Sequence, residues 1–204
     1  LLTTLNGEPR YQKPPLPTWL TAFSVALFGL KSLVALRLPA AFMGLILVFT
    51  SYILTRRLFK NEGYSFVAGL VMATSFYVVS ASRDGNWDIF THAFMMLCIY
   101  QIYLFLNYED KRYKRALLAA LFFGFSFMSK GPVSLYALLL PFLIAYGLVY
   151  RYKGLRERLR EIVVFAVVSI LISGWWYWYT YIFDPEAVAA ITSKETSNWT
   201  SYNI

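Results

Sequence analysis

Two short stretches set ionisable side chains between long apolar runs, Arg83, Asp84 and Asp88 in "SRDGNWD" and Lys130 in "MSKGP", and a third, with Tyr11 and Lys13 in "RYQKPP", precedes the first such run. Lys194 and Glu195 follow the last apolar run. Carboxylates act as general bases or accept hydrogen bonds from sugar hydroxyls. Lysine offers a phosphate a compact charge, and arginine offers it a planar fork. Such a set suits a substrate that carries a phosphorylated lipid and a polar group to be moved. Each residue also has a plainer reading. Asp88 opens an apolar helix, where an acid is favoured by capping and by the helix dipole. Arg83 and Asp84 could be a loop ion pair, and Lys130 could snorkel to an interface. His92, one turn after Asp88, could simply pack in a bundle.

The elements that must position these residues follow from composition. Of 204 residues, 58% are hydrophobic and only 15% charged, against about 25% charged in soluble domains. The mean hydropathy is +0.51. The net charge of +8 is not spread evenly, because twelve of the nineteen Lys and Arg residues fall in knots at 56–60, 111–115 and 151–160. Each knot follows one apolar run and precedes another, the pattern of cytoplasmic loops in a polytopic membrane protein. A nucleic-acid partner is excluded, since membrane spans would divide its basic groove. Cys98 lies inside an apolar run, so no disulfide framework exists and the thiol reads as packing. The opening "LLTTLNGEPRYQKPP" has no initiator Met, basic segment or apolar core of a signal peptide. The chain is therefore expected to be a fragment beginning mid-protein.

The fold class expected is all-α, a polytopic transmembrane helical bundle. Residues 1–37 read as an outer loop carrying an apolar helix over 16–30, shorter than the roughly 20 residues a span needs and so lying at the interface. Spans are expected over about 38–55, 64–81, 88–107, 116–129, 132–150 and 161–183, with 184–204 opening the next outer loop. Pro132 disfavours helix at the residue before it, so a break falls at Lys130–Gly131. The run "GWWYWYTYIF" reads as an aromatic belt at a headgroup boundary. With the basic knots in the cytoplasm, residues 1–15, the 82–88 island, the Lys130 break and the tail from Asp184 all reach the outer face. Glu8, Arg10, Tyr11, Lys13, Arg83, Asp84, Asp88, Lys130, Lys194 and Glu195 thus share one surface.

Three blocks, "LNGEPRYQKPPLPTWL", "SRDGNWDIF" and "FMSKGPVSLYALLLP", resemble in order and spacing those of one family. It is the protein mannosyltransferase-like, or aminoarabinose-transferase-like, group of lipid-linked glycosyltransferases with the GT-C fold. The resemblance implies many transmembrane helices with juxtamembrane helices in the first outer loop. It implies transfer of a sugar from a polyprenyl-phosphate donor to a lipid, glycan or protein acceptor outside the cytoplasm, in a bacterial inner membrane. By position, Lys13 matches the lysine of the first-loop "KP" motif and Lys130 that of the "KG" turn, both expected near the carrier phosphate. Asp88 matches the aspartate that opens the span after the second outer turn, and is the catalytic candidate in this chain. Arg83, Asp84, Tyr11 and Glu195 are candidates for substrate binding.

The chain departs from the family at two points. Relatives with a glutamate before the "KP" lysine can hold a metal there; here the residue is Gln12, a neutral amide and a poorer cation ligand. No metal and no other cofactor is expected. The family's best-known catalytic aspartate lies early in the first outer loop, upstream of residue 1, so this piece alone is expected to be inactive. The competing class is a transporter or flippase for a lipid-linked or anionic substrate. It would need ionisable residues near mid-membrane, where the sequence offers only His92.

Overall fold

The computed structural model describes residues 4–5, 8–9, 13–151, 153–186 and 188–189, and almost all of them are helical. Thr4–Leu5 (β1) and Glu8–Pro9 (β2) pair as a short antiparallel ladder within the stretch expected to be an extended loop. The helices are Leu16–Phe28 (α1), Leu33–Phe59 (α2), Glu62–Thr74 (α3), Phe76–Asp84 (α4), Trp87–Asn107 (α5), Arg112–Lys130 (α6), Leu140–Tyr150 (α7), Lys153–Glu157 (α8) and Leu159–Phe183 (α9). A π-helical turn, Leu135–Leu139, leads into α7. Among the described residues α2, α5 and α9 are each long and apolar enough to cross a membrane, and α3 with α4 makes a fourth such span, bent by 53°.

Local chemistry sets the helix ends. Ser32 caps α2 by accepting from the Ala35 N–H at 3.2 Å, and Asn61 caps α3 by accepting from Tyr64 N–H at 3.1 Å. The bend between α3 and α4 sits at Ser75, whose ψ of 120° is extended and interrupts the ladder. Gly131 closes α6 at φ +76°, a conformation that L side chains rarely adopt. The break thus falls at Lys130–Gly131 as expected, with the glycine making the turn ahead of Pro132. The helix before it runs back to Arg112, so it is 19 residues long rather than about fourteen, and its first turn is built from the second basic knot.

α5 lies at the centre of the bundle. Its two ends feed two clusters of buried side chains, one around Ile89, Phe90 and Phe94 against α2 and α4, the other around Met95, Ile102 and Phe105 against α6 and α7. Cys98 is fully buried there, as packing. Helices in lipid approach closely where small residues face each other. A Cβ on Gly124 of α6 would lie 2.3 Å from Ile172 Cγ2 of α9, and one on Gly44 of α2 would lie 2.2 Å from Ser82 Oγ of α4. Polar glue joins three elements: the Ser126 hydroxyl donates to Thr91 O at 2.8 Å and lies 2.7 Å from the Ser134 hydroxyl, fixing the segment just beyond Gly131 to α5 and α6.

The bundle has two chemically different ends. The Tyr103 hydroxyl donates to Arg57 O, Arg115 donates to Leu104 O, and Arg158 bonds Glu109. These contacts gather all three basic knots at one end. The 82–88 island, Lys130 and Lys13 lie at the other. The aromatic run of α9 is only partly a belt. Trp178 and Tyr181 are exposed, but Trp176 is 1% exposed and meets Trp19 of α1 edge-on at 5.7 Å. That contact docks the short helix α1 against α9.

Candidate functional site

The turn from α4 to α5 is made by Gly85 at φ +70° and by Asn86, whose side-chain oxygen accepts the Asp88 N–H at 3.1 Å. Asn86, not Asp88, is therefore the cap of α5. The Asp88 carboxylate is free for tertiary contacts, and it spans two other elements. One oxygen, Oδ1, ion-pairs with Lys130 Nζ at the end of α6. The other, Oδ2, accepts from the Tyr77 hydroxyl of α4 at 2.8 Å. Tyr77 reaches it because α4 is bent away from α3 at Ser75.

Lys130 is held from behind by its turn. Gly131 is the only residue type at ease at its φ, and a Cβ there would lie 3.5 Å from the Tyr177 hydroxyl of α9. Tyr177 also packs edge-on against Phe127, one turn before Lys130, at 5.8 Å. The lysine side chain remains about one-third exposed. An ammonium carries three donors, so one can serve Asp88 while others face a ligand. Lys13 Nζ sits 5.1 Å from the ring centroid of Trp87, the residue before Asp88. This places a second cation beside the first turn of α5. His92 lies one turn further along α5; its Nδ1 is buried and without a hydrogen-bond partner, and its ring centroid is 6.5 Å from that of Tyr77.

Of the residues singled out in the sequence, Asp88 and Lys130 are brought together and Lys13 stands next to them. Arg83 and Asp84 are exposed on α4; Asp84 accepts from Ser80 at 3.1 Å, and Arg83 makes no hydrogen bond or ion pair among the described residues. Tyr11, Lys194 and Glu195 lie outside the described residues, as do Arg10 and Gln12, and the Glu8 side chain is not described. No group of three or more His, Cys, Asp or Glu side chains comes together among the described residues. Two contributors escaped the sequence reading. Asn86 carried a legible signal, a cap residue just before an apolar run. Tyr77 carried none, because its place depends on the bend of α4.

The family model described as dolichyl-phosphate-mannose-protein mannosyltransferase matches residues 12–178. A protein of Aquifex aeolicus is 27% identical over 200 residues, which are 96% of this chain and 38% of that protein. Undecaprenyl phosphate-alpha-4-amino-4-deoxy-L-arabinose arabinosyl transferase 2 of Pseudomonas fluorescens is 28% identical over 182 residues, 88% of this chain and 30% of that protein. Crystal structures of ArnT from Cupriavidus metallidurans, in the apo state and bound to undecaprenyl phosphate, both match with a TM-score of 0.75. Their identities are 26% and 25%, over 91% of this chain and 34% of theirs. The chain thus spans about a third of the length of the relatives it matches, and its helical bundle is of the GT-C type that the motifs led one to expect.

Proposed function

Since this chain belongs to the dolichyl-phosphate-mannose-protein mannosyltransferase family, we propose that it forms the phosphate-handling part of a membrane glycosyltransferase. The enzyme moves a sugar from a polyprenyl-phosphate carrier to a lipid, glycan or protein acceptor on the non-cytoplasmic face of a bacterial inner membrane. The observation that carries this reading is the Asp88–Lys130 pair, set at the end of the bundle opposite the basic knots. Basic loops stay in the cytoplasm, which orients the Lys130 end outward. The relatives named for undecaprenyl-phosphate-linked aminoarabinose, and the ArnT structure with undecaprenyl phosphate bound, support a lipid-linked donor.

The chemistry follows from charge. The sugar donor is a phosphodiester with one negative charge. As the acceptor attacks the anomeric carbon, the bond from that carbon to the phosphate oxygen breaks and its electron pair stays on the phosphate. The leaving polyprenyl phosphate gains a second charge, and the acceptor's proton passes to a base. Cations already placed where charge develops stabilise the transition state more than the ground state. Lys130 and Lys13 supply them. Asp88 has both carboxylate oxygens engaged, by Lys130 and by Tyr77, which fits a residue that aims Lys130 better than one that accepts the proton. The base is then a group other than Asp88.

The test is transfer from a polyprenyl-phosphate-linked sugar by the full-length enzyme. Lys130→Met is expected to fold normally and to lower turnover by about 10²–10³, the size of one lost electrostatic donor in an acyl-transfer site. Lys130→Arg keeps charge but not geometry and should recover part of it. Normal turnover by the Met variant would leave Lys130 as an interface anchor and end the proposal.

A further inference from the structure

The basic residues at the C-terminal end of α2 have no part in the site at Lys130, from which the length of the bundle separates them. Arg56, Arg57 and Lys60 line an open cavity of about 520 Å³ together with Ile53, Glu62 and Tyr108. That volume lies within the roughly 300–1,000 Å³ of small-molecule sites. Glu62 is the one acid in the lining and is paired with Arg56. Arg57 and Lys60 have no acidic partner among the described residues. Two cations are therefore left over in a concave site.

The site is also organised. The Arg57 guanidinium lies 5.7 Å from the Tyr108 ring centroid and that of Arg115 lies 5.8 Å from the same ring, so one tyrosine braces two arginines. Lys60 ends α2 in the left-handed conformation at φ +52°, and α3 starts two residues later, so the negative end of α2 and the positive end of α3 both adjoin the cavity and the surplus charge comes from the side chains. The neighbouring surface is apolar: Leu58, Phe59, Tyr64 and Phe66 are all exposed, as they would be against acyl chains. Cations concentrated where lipid-facing surface gives way to a helix end match the depth of a phospholipid phosphate, and basic pockets between spans on the cytoplasmic side are suited to such headgroups.

We propose that this cavity binds the phosphate of an anionic phospholipid. The surplus of two cations favours a headgroup with net negative charge over a zwitterionic one. The inference stands apart from the glycosyltransferase reading, since no residue is shared between the two sites.

Native mass spectrometry of the full-length protein, carried from mixed micelles of phosphatidylglycerol and phosphatidylcholine, tests it. Wild-type protein should retain phosphatidylglycerol preferentially. Each Lys or Arg near the membrane surface contributes about five-fold to anionic lipid binding, so Arg57→Gln with Lys60→Asn should weaken retention by roughly 25-fold. Asparagine tolerates the left-handed conformation at position 60. Lys130→Met should retain the lipid as wild type does, and Arg57→Lys with Lys60→Arg should keep most of it. Equal retention of the two lipids, or no change in the neutralised variant, overturns the proposal. So does equal loss in the charge-preserving variant, which would make these side chains structural. Displacement of the lipid by an equal concentration of inorganic phosphate would assign the cavity to a soluble anion instead, and the lipid proposal would fall.

Discussion

Both ends of the bundle carry ion pairs, but they are wired differently. At the end that holds the basic knots, Glu109 accepts from Arg158 through both carboxylate oxygens and also from Arg112 at 3.2 Å, while Arg112 bonds Glu161 at 3.0 Å. Arg158 and Glu161 are buried. The network ties the α5–α6 connection to the start of α9, and three of its four members have more than one partner or a bidentate bond. At the opposite end Asp88 and Lys130 form one pair, steadied by Tyr77, with Lys130 partly open and Lys13 close by over Trp87. A redundant network holds its members through several bonds at once, even with Arg158 Nε buried and without a partner, and costs stability when broken. A sparse pair leaves a cation with unused donors, which is what an incoming phosphate requires.

The contrast can be broken by exchanging lesions between the ends. After Lys130→Met, the largest effect is expected from Asp88→Asn in the full-length enzyme. Asn86 supplies the cap of α5, so folding should be unchanged. The amide cannot ion-pair with Lys130, and transfer should fall by roughly 10–100-fold, the worth of about 1.5–3 kcal/mol for a hydrogen bond to a charged group. Unfolding of this variant, read by thermal denaturation in detergent, would show that the pair is a structural clasp after all.

Glu161→Ala should behave in the opposite way. The buried acid is lost and Arg112 loses its 3.0 Å partner, so the bundle should lose about 1–3 kcal/mol of stability while transfer activity stays within about two-fold, an allowance of roughly 0.4 kcal/mol on the same scale. If activity fell as far as in Asp88→Asn, the two ends would not be functionally distinct.

Tyr77→Phe sharpens the Lys130 end alone. It removes the 2.8 Å bond to Asp88 Oδ2 and little else, and should reduce transfer by about 3–10-fold, since Tyr77 acts on Lys130 only through Asp88 and passes on about half of the roughly 1.5–3 kcal/mol of a hydrogen bond to a charged group. A profile of turnover indistinguishable from wild type would take Tyr77 out of the site.

The smallest effect is expected from pH at the other end. Hydrogen bonding to Arg158 holds the Glu109 carboxyl below the usual carboxylate range. A depressed carboxylate stabilises the fold above its unfolded value, and the contribution fades as pH falls through the folded one. Thermal stability should thus be flat near neutrality and decline only in acid below the ordinary glutamate range, with Glu109→Gln showing a shallower decline. An equal acid response in wild type and Glu109→Gln would remove this pair from the network's electrostatics.

Much of the helical layout was legible because its causes are local. Apolar runs, cap residues and the glycine after Lys130 act within a turn or two of themselves, and basic knots mark the helix ends that remain on one side. The candidate pair was legible as two separate motifs, never as a contact. The bend at Ser75 was not legible, since nothing in "MATSFYVV" demands it. Nor was the docking of α1, which needs Trp19 to meet Trp175 and Trp176 across most of the chain.

Composition and spacing by themselves determined a membrane bundle with its positive charge gathered at one end, and the blocks around Lys13, Asp88 and Lys130 pointed to a family of lipid-linked transferases. Tertiary structure decided which polar groups meet. Asp88 finds Lys130 across 42 positions, and Arg158 finds Glu109 across 49. The physical reason is that a helix fixes its own length and ends through neighbouring residues. Its rotation about its axis is set only by the helices packed against it, and a rotation of one residue's worth, about 100° from 3.6 residues per turn, would have carried Asp88 away from α6. Packing of α5 between its two buried clusters holds that rotation and turns a solvated acid into the partner of Lys130.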